Sequence, residues 1–155
     1  MENVIHTENL TKLYGDFPAV ADLNLDVFKG EVYGYLGPNG AGKSTTIRVL
    51  LDHIRPTIGH ASIFGLDTRT DSVEIKSRVG YLPGELTLYE NMTGKDMLTY
   101  FGSLRGNIDS PYVDELAERL DCDLSQRLSK LSRGNRQKVG LIQAFMNKPD
   151  LLILD

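Results

Sequence analysis

The sequence predicts an α/β fold in which an antiparallel β region opens the chain and a helical insert interrupts a series of strands and helices. Three observations predict it. Residues 3–36 alternate apolar and polar side chains in part, as half-buried strands do. An apolar stretch runs into the glycine-rich "GPNGAGKS", after which apolar residues recur at helical spacing. Between residues 93 and 131 the apolar positions recur at three and four, with no strand period.

The elements follow in order. "NVIHTENL" and "DLNLDVF" read as strands, the second placing Leu23, Leu25 and Val27 on one face before Lys29 and Gly30 turn the chain. "EVYGYLG" continues as the strand that enters the glycine-rich loop. A helix from Ser44 to His53 carries Ile47, Leu50, Leu51 and Ile54, and "RPTIGH" ends it. "ASIFG" returns as a short strand; Asp71 with Glu74 has the spacing of a capping box opening a helix through "SVEIKSRV", and "VGYL" is a buried strand. Thr93 caps a helix bearing Met97, Leu98, Phe101 and Leu104. Ser110 and Pro111 suit the N-cap and first turn of another, which bears Val113, Leu116, Ala117 and Leu120. A last helix with Val139, Ile142, Phe145 and Met146 runs from about Ser132 to Asn147; Pro149 stops it, and "LLIL" is a short buried strand ending at Asp155.

Composition excludes several classes of function. The chain has 155 residues, enough for one domain, with 41% hydrophobic and 25% charged residues, ordinary globular values. A formal charge of −4 argues against a broad basic surface for nucleic acid, so no nucleic-acid partner is expected, while a local phosphate pocket needs only a few cations. The single cysteine, Cys122, has no partner for an intramolecular disulfide and reads as structural. No run approaches the ~20 apolar residues of a membrane span, and "MENVIHTENL" lacks a basic region followed by an apolar core; the expected location is the cytoplasm.

The chemistry sits first in Gly37–Ser44, "GPNGAGKS", which matches G-x-x-x-x-G-K-[ST] between a predicted strand and a helix. Glycines at 37, 40 and 42 let the backbone curl so that N–H groups converge on phosphate oxygens, and the helix adds the positive end of its dipole. Lys43 reaches the terminal phosphates, and Ser44 offers a hydroxyl to Mg²⁺. Such a match arises by chance in roughly one chain of this length in 200, so a mere connecting turn is a poor account of it. The second signal is "LSRGN", Leu131 to Asn135, immediately before a helix: Ser132 is a natural N-cap and Gly134 permits close backbone approach. Alone, that pentapeptide reads more readily as an ordinary capped helix.

Taken in order, Tyr14, "GPNGAGKST", the helical insert, "LSRGNRQKVGL" and "LLILD" resemble the ATP-binding domain of ATP-binding cassette (ABC) transporters, of the exporter-like kind, across essentially the whole chain. The resemblance implies a P-loop NTPase (RecA-like) core with an N-terminal antiparallel β subdomain and an inserted helical subdomain. It divides residues 1–155 into an antiparallel β region (1–36 and 57–66), the phosphate loop and its helix (37–56), the helical insert (86–131) and the signature helix with the Walker B strand (132–155). It implies that ATP is bound by Gly37, Pro38, Asn39, Gly40, Ala41, Gly42, Lys43, Ser44 and Thr45, that Tyr14 stacks on adenine, and that Ser44 and Asp155 serve Mg²⁺. Val20 falls where the family often packs an apolar side chain near the sugar and base, although core packing accounts for it equally well.

Three positions, in two motifs, depart from the family pattern. Arg133 and Asn135 stand where the signature usually has Gly and Gln, while Ser132 and Gly134 remain. Gly84 stands where a Gln usually couples the nucleotide to the membrane subunit; the neighbouring Glu85 is either a substitute oxygen ligand or a solvated loop charge.

The resemblance further implies head-to-tail pairing with a second ATP-binding domain, identical or not, so that Ser132, Gly134 and Asn135 meet the γ-phosphate in trans. It implies transmembrane subunits as partners, coupled through the helical insert and the loop at Gly84 and Glu85, with the chain held at the inner face of the membrane. The family's general-base acid and switch histidine follow the Walker B aspartate, so neither is assignable within residues 1–155. The expectation is thus of a domain whose C-terminal core is missing, able at most to bind nucleotide weakly and not to hydrolyse it alone. A soluble ABC-type ATPase of translation or DNA repair, and a non-hydrolysing nucleotide-binding fragment, are the alternatives.

Overall fold

A computed structural model describes residues 2–106 and 108–155, which form two compact units, Met1–Ser77 and Arg78–Asp155.

In the first unit, β1 (Asn3–Tyr14) and β2 (Phe17–Phe28) make an antiparallel hairpin that turns at Gly15, with Thr7 opposite Leu25. β3 (Ile58–Ile63) pairs antiparallel with the other edge of β1, and the two-residue β4 (Leu66–Asp67) pairs with β3, giving the order β2-β1-β3-β4. A register shift after Thr7 accommodates Asn9 in the left-handed region (φ 46°). Its carbonyl comes so close to Gly59 on β3 that a Cβ there would collide with it, so the bulge requires a glycine opposite. The buried Thr7 hydroxyl closes the gap by donating to the Leu23 carbonyl and accepting from the Leu25 amide, both at 2.9 Å. Leu10, Ile63, Val27 and Val49 are among the buried residues of this unit.

α1 (Lys43–Leu50) buries Thr46, Val49 and Leu50 and stops short of the expected His53, because Leu51 leaves helical geometry and Asp52 takes a positive φ. Residues 31–36, expected as a strand, join no ladder among the described residues. Val32 and Leu36 are 99% and 90% exposed. Extended backbone becomes a strand only when a neighbour satisfies its N–H and C=O groups. Here the segment is tied instead by the Tyr35 hydroxyl, 3.2 Å from Thr46 Oγ1. α2 (Ser72–Arg78) lacks the expected capping box: the Asp71 carboxylate turns back to accept from the Asp67 amide and the Thr70 hydroxyl.

In the second unit, β5 (Val79–Leu82) and β6 (Leu151–Leu154) pair in parallel, Val79 opposite Leu151 and Leu82 opposite Leu154. The ladder is bracketed by the Asp150 amide on Arg78 O and the Asp155 amide on Leu82 O, and Arg78 also pairs with the Asp150 carboxylate at 2.8 Å. Helices α3 (Gly94–Leu104), α4 (Ser110–Arg119) and α5 (Arg133–Phe145) enclose a core of Met97, Leu98, Val113, Leu128, Val139 and Ile142. Thr93 caps α3 as expected, accepting from the Asp96 amide. The cap of α4 is Asp109 rather than Ser110, moved one residue because its carboxylate accepts from the Tyr112 amide at 3.0 Å and Pro111 is as acceptable one position further in. α5 lies close on β5 through two glycines. Gly80 faces the Ala144 carbonyl without room for a Cβ, and Gly140 receives the side chains of Leu82 and Leu86.

Candidate functional site

The Gly37–Ser44 loop is shaped by two left-handed glycines for different reasons. Gly40 (φ 85°) stands in open space. Gly42 (φ 87°) is the N-cap of α1, and a Cβ on it would run into the Ala19 carbonyl and come within 3.0 Å of Val20 Cγ2. The loop therefore rests on β2, and Val20 supports it from below. Between the glycines the Ala41 amide donates to Pro38 O. No side chain caps α1 and no acid lies in its first turn, so nothing of the helix's own answers the positive end of its dipole. Lys43 curls back into the loop, with Nζ donating to Gly37 O at 2.6 Å and Pro38 O at 2.8 Å. Thr46 Oγ1 donates to Gly42 O and fixes the first turn. Such a loop can cradle a phosphate group: backbone donors at an open helix start, with a cation beside them. Tyr14 ends β1 half exposed, with the Lys12 ammonium 5.4 Å from its ring centroid.

In the second unit, Ser132 caps α5 by accepting from the Asn135 amide at 3.2 Å. A Cβ on Gly134 would meet nothing within 4 Å, so its backbone is open to a close approach. α5 too has no acid in its first turn; it carries Arg133 and Arg136 there instead. Across from them, Gly84, Glu85 and Leu86 complete a cavity of about 520 Å³ with Arg133, Arg136 and Gln137. Gly84 also lies against Asp155: a Cβ on it would be 3.6 Å from the Asp155 carbonyl oxygen and 3.9 Å from its carboxylate carbon. The fold thus gathers Gly84, Glu85, Asp155 and the start of α5 at one end of this unit. In the sequence, Arg133 reads only as a departure from the family pattern and Arg136 carries no expected role. The signal available was charge: two arginines and no acid at a helix start, the reverse of what the dipole favours.

Comparison with known proteins shows the family and the fold. The family model described as ABC transporter matches residues 20–155. The bacitracin transport ATP-binding protein BcrA of Bacillus licheniformis is 38% identical over 157 residues, covering 100% of this chain and 51% of the relative. The probable multidrug ABC transporter ATP-binding protein YbhF of Escherichia coli K12 is 36% identical over 159 residues, covering 99% of this chain and 28% of the relative. The chain thus spans about half the length of the first of these relatives and less of the second. A solved ATP-binding subunit of an ABC transporter superposes with a TM-score of 0.87 at 29% identity, covering 98% of this chain and 65% of that one.

Proposed function

Because the chain belongs to the ABC transporter family, whose model spans residues 20–155, we propose that it binds ATP through Gly37–Thr45 and contributes this to an ATP-hydrolysing subunit that powers transport through transmembrane partners. The observation that carries the reading is the uncapped start of α1, held on β2 by a glycine that admits no side chain, with Lys43 folded into the loop it closes. Lys43 exchanges the Gly37 and Pro38 carbonyls for phosphate oxygens, while the loop amides hold the phosphate chain. Tyr14 offers an exposed ring for adenine, a contact worth ~1–3 kcal/mol in base stacking.

The donors proposed for Mg²⁺ are hard oxygens, the Ser44 hydroxyl and the Asp155 carboxylate, which suit that cation. A Mg²⁺ ion held by these oxygens would neutralise charge on the phosphates. No residue of the chain is assigned as general base. Ser132, Gly134 and Asn135 are the proposed contacts to the nucleotide of a second ATP-binding domain, supported by the open approach at Gly134. The loop at Gly84 and Glu85 is the proposed link to the membrane subunits, which would hold the chain at the inner face of the membrane. Among the described residues no helix is long and apolar enough to cross one.

The test is calorimetric titration with ATP and Mg²⁺, compared with Lys43→Ala. The expected result is saturable binding that weakens at least tenfold in the variant, the scale of a lost charge-assisted contact of about 1.5–3 kcal/mol. Equal affinity in the two proteins would refute the assignment.

A further inference from the structure

The cavity beside α5 contains charges of both signs that the fold leaves incompletely answered. Arg136 spends Nη1 on Glu90 at 3.4 Å and Nη2 on Ser129 O at 3.3 Å, while its Nε is buried without a hydrogen-bond acceptor. Arg133 and Glu85 line the same cavity, and neither belongs to an ion pair among the described residues. Helical spacing matters here. Positions 133, 136 and 140 share one face of α5, and it is Gly140 on that face that receives Leu82 and Leu86. Pro83, Gly84 and Glu85 therefore form a three-residue strap whose two flanking leucines are both seated on α5. The strap has no helix or ladder of its own, and nothing presses on Gly84 closer than an ordinary contact.

We propose that this strap closes across the cavity, placing the Glu85 carboxylate on the Arg133 guanidinium and on the orphaned Nε of Arg136, as a charge latch between the Gly84 loop and α5. Closure gives the buried donor the acceptor it lacks and brings a second carboxylate, beside Glu90, to the helix start. Because one carboxylate serves both arginines, any other anion arriving at the start of α5 competes with Glu85, so strap closure and anion occupancy oppose each other reciprocally. The identity of such an anion rests on the function proposed above; the latch does not, and its test is made without nucleotide so that the two can fail separately.

The test is amide hydrogen exchange, read by mass spectrometry on the whole chain at low salt, over the peptide spanning residues 84–90. Glu85→Gln and Arg133→Gln are each expected to speed exchange there about fivefold, the upper range for a solvent-accessible ion pair. The double variant should be no faster than either single one. Arg133→Lys keeps the charge and should keep most of the protection, and unchanged exchange across residues 139–145 serves as the check on folding. The latch is overturned if Glu85→Gln leaves exchange unchanged, if the two single effects multiply, or if Arg133→Lys is as exposed as Arg133→Gln.

Discussion

Gly40 and Gly42 have nearly the same backbone conformation, with φ of 85° and 87°, yet substitution should separate them sharply. Alanine at Gly40 meets nothing, so the cost is that of a left-handed non-glycine residue, about 1 kcal/mol. Alanine at Gly42 adds a collision with the Ala19 carbonyl, which cannot rotate away, and should cost at least about 2 kcal/mol. Urea unfolding of the two variants tests this ordering, and equal losses would mean that the loop does not rest on β2. The motif names both glycines but cannot say which is compelled by its surroundings. That answer depends on Ala19 and Val20, more than twenty residues earlier, which no local pattern connects to the loop.

At the scale of the element, Ser132 separates a structural role from a chemical one. Its hydroxyl caps α5, so Ser132→Ala should cost about 1 kcal/mol. Asp caps a helix as well as Ser does and also suits the dipole, so Ser132→Asp should retain or slightly raise stability. Under the proposed function the same variant should abolish pairing driven by nucleotide, since a carboxylate would then face a phosphate. Thermal unfolding together with sedimentation in ATP distinguishes these effects; nucleotide-driven pairing that survives in Ser132→Asp would remove Ser132 from the interface. Local chemistry made this helix start legible, as it did Thr93 for α3. Where two residues competed for one role it did not. Asp109 displaced Ser110 because proline is tolerated at either of the first helical positions, and the Asp71 carboxylate found the Asp67 amide before its own helix. The strand expected at residues 31–36 failed for a different reason. Alternation shows which face a strand would bury, but a ladder also needs a neighbour, and that is a property of the fold rather than of the segment.

For the whole molecule, the α/β class, the antiparallel opening and the helical insert were legible because period and punctuation agree there, whereas the electrostatic balance was not, because it depends on pairs distant in sequence. Two histidines illustrate this and predict the shape of the stability profile. His6, on β1, is held above the ordinary value near 6.5, first by its 2.6 Å hydrogen bond to Asp26 on β2 and then by Glu8. Its contribution is therefore complete below about 6.5 and is lost as pH rises through the raised value. His53, just beyond α1, is shifted the opposite way, first by burial and then by Lys76 and Arg48. The unfolded chain binds its proton more readily, so its contribution is complete above about 6.5 and is lost as pH falls through the lowered value. The two slopes occupy opposite sides of one pH, so stability should peak close to it. His6→Gln should remove the decline on the alkaline side and leave the acid side intact, and His53→Gln should do the reverse. Urea midpoints for the three proteins between about pH 5 and 8 read this directly. A wild-type profile that rises steadily through that range, or a His6→Gln profile that still falls on the alkaline side, would mean that Asp26 does not hold the proton on His6 in the folded chain.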